Sequence, residues 1–195
     1  MIIWINGAFG SGKTTCSYEM SRRLDNSFVY DPEDLGYFIR KNTPKSLYKN
    51  DFQDYECWRK FNYDMLKYFS NSYNGVIIVP MTIINKNYYY EIIGKLENEG
   101  VNIKHFILYA NKDTLKSRIN KRFEIGNSWA KTKIDDCIKY FDMCIDEEKI
   151  FTDNKSIDEI IYEIAQKCNL NLKIDKRNLI KKQFDRFLIT LKHII

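Results

Sequence analysis

Short, continuous apolar runs alternate along the chain with longer segments in which apolar residues return every three or four positions. An unbroken apolar run predicts a strand that is buried on both faces, and the wider spacing predicts a helix. Strands that alternate with helices are typical of βαβ units, so we expect an α/β fold with a five-stranded parallel sheet. The predicted strands are residues 2–6, 27–30, 75–80, 101–109 and 150–152, and the predicted helices are residues 13–24, 35–41, 52–70, 88–99, 112–122, 131–146, 156–168 and 175–194.

The last predicted helix is amphipathic and basic. Its apolar residues fall on one helical face, and its opposite face is rich in Lys and Arg. Such a helix is typical of a segment that lies on an anionic membrane, where adsorption without a lipid anchor would be reversible. The alternative is a helix that docks on the body of the protein or on a second subunit. The apolar face consists of Ile180, Phe184, Phe187, Leu188, Leu191 and Ile195.

Charge is distributed unevenly between this tail and the rest of the chain. The 195 residues contain 31 Lys and Arg against 26 Asp and Glu, which gives a net charge of +5. Residues 173–195 carry seven basic and two acidic residues, so residues 1–172 are neutral as a whole. A neutral body gives no basis for nucleic-acid binding. We therefore expect one domain over residues 1–172 and a basic C-terminal helix over residues 173–195.

Cysteine usage and the lengths of the apolar runs indicate the cellular compartment. The five cysteines are odd in number and form no C-x-x-C pair, which argues against a disulfide framework or a zinc site. The N-terminus runs directly into a predicted strand without the features of a signal peptide, and no apolar stretch approaches the roughly 18 residues of a membrane span. We expect a cytoplasmic protein that is peripheral on the inner face of the cell membrane if its tail binds lipid.

Residues 7–14 fit the pattern G-x-x-x-x-G-K-[ST], the phosphate-binding loop of nucleoside triphosphate enzymes. The loop stands between a predicted strand and a predicted helix, so backbone N–H groups and the helix N-terminus would surround the phosphates. Lys13 would reach the β- and γ-phosphates, and the Thr14 hydroxyl would bind Mg²⁺. The predicted residues for ATP or GTP are Gly7, Ala8, Phe9, Gly10, Ser11, Gly12, Lys13, Thr14 and Thr15.

Asp31 directly follows the second predicted strand, where a small kinase places its acceptor hydroxyl. A carboxylate there can accept the hydroxyl proton or help to hold Mg²⁺. The alternative is an Asx turn before Pro32, with Glu33 and Asp34 as charges at a helix N-terminus. The third predicted strand ends in Pro80-Met81-Thr82 and lacks the acidic metal ligand of an ATP-driven motor. This absence favours a small-molecule kinase in which Asp31 takes that place.

Arg118 and Arg122 lie four residues apart on a predicted helix that leads into a Gly-containing loop, which together suit a kinase lid over about residues 118–130. Arginines on a closing segment neutralise charge on the transferred phosphoryl group, and one of them can stack on adenine. The alternative is a solvated basic face, because Lys116 and Lys121 share the segment.

Asp153 and Asn154 follow the last predicted strand, at the position that lies beneath adenine in kinases of this type. The alternative is a turn that caps the next helix at Ser156, with Glu159 completing a capping box. Both interpretations can hold together. The middle of the chain is also rich in aromatic residues, which indicates either a pocket for a base, sugar or lipid or ordinary core packing. These aromatics are Phe52, Tyr55, Trp58, Tyr63 and Tyr88-Tyr89-Tyr90.

Several distinctive motifs accompany the phosphate loop. They are Val29-Tyr30-Asp31-Pro32-Glu33, Asp51-Phe52-Gln53, Trp58-Arg59, Phe61-Asn62-Tyr63, Ile78-Val79-Pro80-Met81-Thr82-Ile83, Asn127-Ser128-Trp129-Ala130 and Thr152-Asp153-Asn154. With residues 1–14, they resemble the tunicamycin-resistance ATP-binding proteins over essentially the whole chain.

This resemblance implies a P-loop kinase-like fold of three α/β/α layers, ATP binding at Gly7–Thr14 and resistance to tunicamycin. It also implies peripheral membrane association through the C-terminal helix. The broader fold resembles shikimate kinase and chloramphenicol phosphotransferase, in which the acidic residue after the second strand acts on the acceptor hydroxyl, and Asp31 matches that position.

We therefore expect an ATP- and Mg²⁺-dependent phosphotransferase that acts on a hydroxyl of tunicamycin or of a related nucleoside. Lys13, Asp31, Arg118 and Arg122 are the expected catalytic residues, with Thr14 and Asp31 as metal ligands. One alternative is a protein that binds and sequesters the drug at the membrane without turnover. A second alternative is a housekeeping nucleoside or nucleotide kinase.

Overall fold

The computed structural model describes residues 1–121 and 129–192, and it centres on one five-stranded parallel sheet. The strand order is β2-β3-β1-β4-β5, so the first strand lies in the middle and is paired on both sides. This arrangement confirms the predicted α/β fold. The strands are β1 (Ile2–Gly7), β2 (Ser27–Val29), β3 (Val76–Pro80), β4 (Ile103–Tyr109) and β5 (Glu148–Phe151).

Helices cover both faces of the sheet. Two short 3₁₀ turns, Lys45–Leu47 and Phe52–Asp54, precede the longest helix of the body, and one helical segment contains a π-helical stretch at Tyr90–Gly94. The helices are α1 (Lys13–Arg23), α2 (Pro32–Lys41), α3 (Glu56–Ser72), α4 (Lys86–Tyr89), α5 (Lys95–Asn98), α6 (Lys112–Asn120), α7 (Trp129–Thr132), α8 (Ile134–Met143), α9 (Ile157–Lys167) and α10 (Leu179–Lys192).

Strand β1 is buried along its whole length because it contributes to two cores. Side chains alternate across a strand, so Ile3 and Ile5 face one core while Ile2 and Trp4 face the other. The first core is completed by residues of α1 and α9, and the second by residues of α3 and of the segment 90–98. A third cluster, around Ile107, joins β4 to α6 and α8.

Helix boundaries depart from the sequence predictions where capping groups set them. The second helix begins at Pro32 instead of residue 35, because Asp31 caps it and Pro suits the first helical position. The fourth begins at Lys86 instead of residue 88, because the Asn85 side chain accepts hydrogen bonds from two backbone N–H groups. The predicted helix at 131–146 is divided at Lys133 into α7 and α8.

Helix α10 confirms that the tail is helical, and it lies along α1 with its polar side inward. Most of its apolar residues point outward, among them Ile180, which is 80% exposed, and Phe184, which is 59% exposed. In residues 1–121 and 129–192, no helix has the length and apolarity needed to cross a membrane. Ile195, which was assigned to the apolar face, lies outside the described residues.

Replacing Phe141 by Ala tests the third core cluster. The Phe141 side chain is buried, so its truncation should leave a cavity and lower the free energy of unfolding by about 3–5 kcal/mol. Urea denaturation of the Phe141→Ala variant measures this loss. Met143→Ala is the matched control on α8, because Met143 is exposed and its truncation should change stability by only about 0.5 kcal/mol. Equal losses in the two variants would contradict the assignment of Phe141 to the core.

Candidate active site

The phosphate loop joins the carboxyl end of β1 to the first turn of α1, and its shape depends on glycine. Gly7 has a φ of +145°, and a Cβ there would lie 2.6 Å from Ser11 Oγ and 2.7 Å from the Leu108 carbonyl oxygen. Gly12 has a φ of +99° and is the N-cap residue of α1. A side chain at Gly7 would collide with these atoms, and one at Gly12 would be disfavoured by the positive φ. The backbone therefore has the compact form that a phosphate group requires.

Lys13 is folded over the loop. Its Nζ donates hydrogen bonds to the carbonyl oxygens of Gly7 at 3.0 Å and Ala8 at 3.2 Å, and it lies 5.4 Å from the centre of the Phe9 ring. Thr14 and Thr15, in the first turn of α1, line the adjoining cavity. An ammonium, hydroxyl groups and a helix N-terminus thus border the same cavity, which is a donor set suited to triphosphate. These groups fit the predicted nucleotide, and the Thr14 hydroxyl is of the type that binds Mg²⁺.

Two buried polar side chains fasten the loop to the segment that follows β3. The Asn6 Oδ1 accepts hydrogen bonds from the Gly7 N–H at 2.8 Å and the Ile83 N–H at 3.1 Å, and its Nδ2 donates to the Ile83 carbonyl oxygen. Thr82 Oγ1 donates to the Gly7 carbonyl oxygen at 2.7 Å. Gln53 extends this scaffold by donating from its Nε2 to the Thr82 carbonyl oxygen at 3.1 Å. Sequence reasoning assigned no role to these three residues, although Asn6 is a polar residue in an otherwise apolar strand.

Asp31 is the N-cap residue of α2, and its carboxylate accepts a hydrogen bond from the Glu33 N–H at 3.0 Å. The Asx-type turn is therefore present. The residue is 6% exposed, and burial raises its pKa to about 6, although the hydrogen bond from Glu33 and the charge of Lys13 act in the opposite direction. A carboxyl with this pKa can exchange a proton near neutral pH. Glu33, two residues on, lines the cavity beside the loop.

Two cavities adjoin the phosphate loop. The phosphate-side cavity, of about 470 Å³, is lined by loop residues together with side chains of α2, of the 3₁₀ turn at 52–54 and of α10. The second cavity, of about 770 Å³, is lined by side chains from the segments 82–88 and 133–144. The two cavities share four wall residues, which are Phe9, Asn50, Asp51 and Gln53.

Asp51 lies in the wall common to both cavities. Its carboxylate accepts a hydrogen bond from the Gln53 N–H at 2.9 Å, and burial raises the pKa of this carboxyl above its usual range. It is thus a second carboxylate with raised proton affinity beside the loop. The sequence contained a signal for it, because Asp51-Phe52-Gln53 is one of the distinctive motifs, but no spacing rule linked that motif to the site.

Arg118 contacts the turn after β5. Its Nη1 donates to Thr152 Oγ1 at 2.9 Å and its Nη2 donates to the Thr152 carbonyl oxygen at 2.8 Å. In this arrangement Arg118 joins α6 to the turn where the adenine site was predicted. Arg122 and residues 123–128 of the predicted lid lie outside the described residues.

Asp153 and Asn154 form that turn. The Asp153 carboxylate accepts hydrogen bonds from the Asn111 N–H at 3.1 Å and from Thr114 Oγ1 at 2.6 Å, so it binds the start of α6. Asn154 has a φ of +60°. The predicted capping box is present, because the Ser156 hydroxyl and the Glu159 side chain each bond the other's backbone N–H. The capping interpretation is confirmed, and the adenine site stays a prediction.

Comparison with known proteins supports the sequence resemblance. The structure matches that of the tunicamycin resistance protein of Deinococcus radiodurans with a TM-score of 0.76 and 29% identity, over 89% of this chain and 98% of that one. This match confirms the resemblance. No protein-family model and no curated protein sequence matches the chain significantly.

More distant solved structures agree on the fold. Deoxyadenosine kinase of M. mycoides has a TM-score of 0.54 and 21% identity, over 87% of this chain and 99% of that one. Shikimate kinase of Aquifex aeolicus also has a TM-score of 0.54, with 17% identity over 87% of this chain and 96% of that one. The chain has the P-loop kinase fold. These two kinases show the fold alone.

The buried Asp31 carboxyl predicts a specific pH dependence of stability. Its folded-state pKa of about 6 lies above the ordinary value of 3.8 for an Asp carboxyl, so its contribution is fully present below about pH 4 and is lost as the pH rises through 6. Asn keeps the capping oxygen but does not titrate. From pH 4 to pH 7, the wild type should therefore lose about 2–3 kcal/mol of stability relative to Asp31→Asn.

Urea denaturation at closely spaced pH values measures this difference. Asp64→Asn is the matched control, because Asp64 is exposed on α3 and its replacement should give a nearly constant difference from the wild type. A constant difference between Asp31→Asn and the wild type across the same range would show that the Asp31 carboxyl ionises normally.

Proposed function

We propose that the protein is an ATP-dependent phosphotransferase that confers resistance to tunicamycin by phosphorylating a hydroxyl group of the drug or of a related nucleoside. The observation that carries this proposal is the pair of adjoining cavities beside the phosphate loop, which share Phe9 and Asp51 in their common wall. A donor held by the loop and an acceptor in the second cavity can then meet at the loop. The match to a tunicamycin resistance protein supports the choice of drug.

The phosphate loop holds the donor. Backbone N–H groups and the N-terminus of α1 bind the triphosphate, and Lys13 exchanges its two carbonyl partners for the β- and γ-phosphates. The Thr14 hydroxyl would hold Mg²⁺, which neutralises phosphate charge when bound, and a role of Asp31 as a second ligand of that ion is the alternative to its role as the proton acceptor. The tight anchoring of Gly7 by Asn6 and Thr82 keeps these donors in place before the nucleotide arrives.

The acceptor hydroxyl loses its proton to a carboxylate as its oxygen bonds to the γ-phosphorus, and ADP departs with the electrons of the broken P–O bond. Asp31 is the proposed proton acceptor, because its pKa of about 6 leaves it largely ionised at pH 7 yet still basic enough to take a proton. Asp51 is the second carboxylate at the site. Aromatic side chains of the second cavity, Tyr88 and Tyr140, suit an acceptor with a base or sugar ring.

The remaining predicted residues act on the nucleotide from the other side of the loop. Asp153, Asn154 and the backbone around them are proposed to lie beneath adenine, and Arg118 supports this turn through Thr152. Arg122 is proposed to close over the phosphates. Arginines in this role stabilise the charge that develops on the transferred group.

Product analysis tests the proposed reaction. Incubation with ATP, Mg²⁺ and tunicamycin should give a drug product heavier by one phosphoryl group in mass spectrometry. Lys13→Met should lower the rate by about 10²-fold or more, because it removes the ammonium that balances phosphate charge. Asp31→Asn should lower it by about 10²–10⁴-fold, because it removes the proton acceptor. Lys60→Met is the control for the loss of one lysine, since Lys60 is exposed on α3.

The outcomes of this experiment separate the alternatives. Unchanged drug that nevertheless binds tightly in the presence of ATP would replace the phosphotransferase with an ATP-dependent sequestering protein. Turnover of simple nucleosides without turnover of tunicamycin would point to a nucleoside kinase. Product formation by Asp31→Asn at the wild-type rate would exclude Asp31 as the proton acceptor and direct attention to Asp51.

We further propose that the outward apolar face of α10 adsorbs to an anionic membrane. This face presents Ile180, Phe184 and Phe187 to the solvent, with Lys181 exposed beside it. Apolar insertion and attraction of lysines to acidic lipid headgroups are the two contributions that hold such helices on a bilayer.

Co-sedimentation with vesicles tests this face. The wild type should sediment with phosphatidylglycerol-containing vesicles more than with pure phosphatidylcholine vesicles, and added salt should weaken the binding. The double variant Phe184→Ser/Phe187→Ser should bind at least about tenfold more weakly, because two apolar side chains no longer leave water. Tyr68→Ser, at an exposed aromatic residue on α3, is the control. Equal binding by the double variant and the wild type would exclude this face as the lipid contact.

A further inference from the structure

The polar side of α10 is bound to the helix that starts at the phosphate loop. Glu19, in the middle of α1, is completely buried, and its carboxylate accepts hydrogen bonds from the Arg177 guanidinium, at 3.2 Å from Nη1 and 2.5 Å from Nη2. Arg186 of α10 lies 3.6 Å from the same carboxylate. Arg22 of α1 itself also lies 3.5 Å from Glu19. A buried carboxylate is stable only when cations and hydrogen-bond donors compensate it, and the tail supplies the hydrogen-bonded cation, Arg177.

Arg177 precedes α10 and connects three acidic side chains. Besides Glu19, it donates to Asp185 at 2.6 Å from Nη1 and to Asp175 at 2.7 Å from Nη2. Asp185 belongs to α10, so one guanidinium joins α1 to the first half of the tail helix. The network raises the pKa of Arg177 far above its usual range through the bonds to Asp175 and Glu19, and the guanidinium therefore stays charged.

A second set of ion pairs fixes α10 to α9. Asp158, in the first turn of α9, lies 3.2 Å from Lys182 Nζ and 3.3 Å from Arg186 Nη2. Asp158 also lies 3.5 Å from Arg23 Nη1 at the end of α1. Glu19, Asp158 and Asp175 thus lie close together, but cationic side chains compensate them, so this is an ion-pair network that holds three helices together.

Helix α10, which these ion pairs hold in place, ends at the candidate active site. The Lys173 N–H donates to the Arg23 carbonyl oxygen at 2.8 Å, and Arg23 Nε donates to the Lys173 carbonyl oxygen at 2.7 Å. From this point at the end of α1, the chain returns along α1 toward the loop. Near its C-terminal end, Ile189 and Thr190 line the phosphate-side cavity together with Thr14 and Thr15. The C-terminal helix therefore supplies part of the surface that faces a ligand on the phosphate loop.

We propose that α10 forms part of the wall of the phosphate-side cavity and contributes to ligand binding there. Arg177 is the residue that positions the helix. The tail then has a role in nucleotide binding that is separate from its outward face. This inference rests on the proposed function, because it takes the phosphate-side cavity to be the nucleotide site. Arg177 acts through α1 and α10, and it touches no ligand itself.

Binding of ATP, measured by titration calorimetry with Mg²⁺, tests the wall directly. Ile189→Glu places a carboxylate in the cavity wall, so the dissociation constant for ATP should rise by about tenfold or more through repulsion of the phosphates. Gln183→Glu is the matched control, because it also adds a carboxylate to the same helix, at an exposed position with no assigned role, and should leave the constant unchanged. Equal dissociation constants for these two variants would contradict the proposal that α10 forms part of the nucleotide site.

Arg177→Met tests the positioning role. It should raise the dissociation constant for ATP, and the KM for ATP in the phosphotransfer assay, by about threefold or more, with a smaller change in kcat. Arg177→Lys should recover part of the affinity, since it restores a cation beside Glu19. Lys181→Met is the control, because it removes an exposed cation from the same helix. Binding is compared at a temperature at which circular dichroism shows every variant folded.

The outcomes distinguish this inference from the proposed function. If the wild type binds no ATP, the phosphate-side cavity is not a nucleotide site, and the proposed function and this inference both fail. If the wild type binds ATP and Arg177→Met binds it equally well, Arg177 has no positioning role. If Ile189→Glu also binds as the wild type does, α10 is not a wall of the nucleotide site. Weaker binding by Ile189→Glu and Arg177→Met, but not by their controls, supports the proposal.

Discussion

The carbonyl oxygen of Gly7 is the point on which the rest of the site depends. It accepts hydrogen bonds from Lys13 and from Thr82, so it links the phosphate loop to the segment after the neighbouring strand. The peptide N–H of the same residue is held by Asn6. Because the position of Gly7 is fixed from both sides, the loop keeps its form when Lys13 moves away from its carbonyl partners. Preorganisation of this kind lets a site stabilise charge without rearranging at the moment of reaction.

The same region contains two buried carboxyl groups whose ionisation lowers the stability of the fold. Burial of the Asp31 and Asp51 carboxyls disfavours their charged forms, which raises both pKa values. Each carboxylate is nevertheless kept in place by the backbone N–H two residues later. Local turns thus orient the two acids while burial sets their proton affinity, and of these two residues Asp51 is the one that lines the cavities. Such a combination is common where a protein has to move a proton, and less common where an acid only caps a helix.

The parts of the structure that follow from local signals could be predicted from the sequence. Strand β1 is apolar at nearly every position, and the Gly-rich loop after it has its own local geometry, so the sheet and the position of the loop between β1 and α1 were predicted correctly. The capping box at Ser156 and Glu159 is equally local. Asn6, Thr82 and Asp51 could not be assigned, because their partners lie in segments that are distant along the chain.

The orientation of the tail helix was also beyond the sequence. An amphipathic pattern gives two faces but does not determine which of them contacts the protein. In this molecule the polar face is inward, because Glu19 of α1 and Asp158 of α9 require cations. The one indication of this orientation was Glu19, an acidic residue among buried positions of α1. Burial of an acid depends on contacts formed in three dimensions.

The orientation of α10, with its polar face toward the protein, has a thermodynamic consequence. One side of this helix borders the phosphate-side cavity, and the other side faces the surroundings of the protein. Two ligands that each bind more tightly to one position of the same helix than to another raise each other's affinity by the same factor. If a nucleotide and a bilayer both favour the position that α10 has in this structure, occupancy of the loop and residence on the bilayer become coupled. The protein would then concentrate its nucleotide-bound form where an amphiphilic acceptor is dissolved.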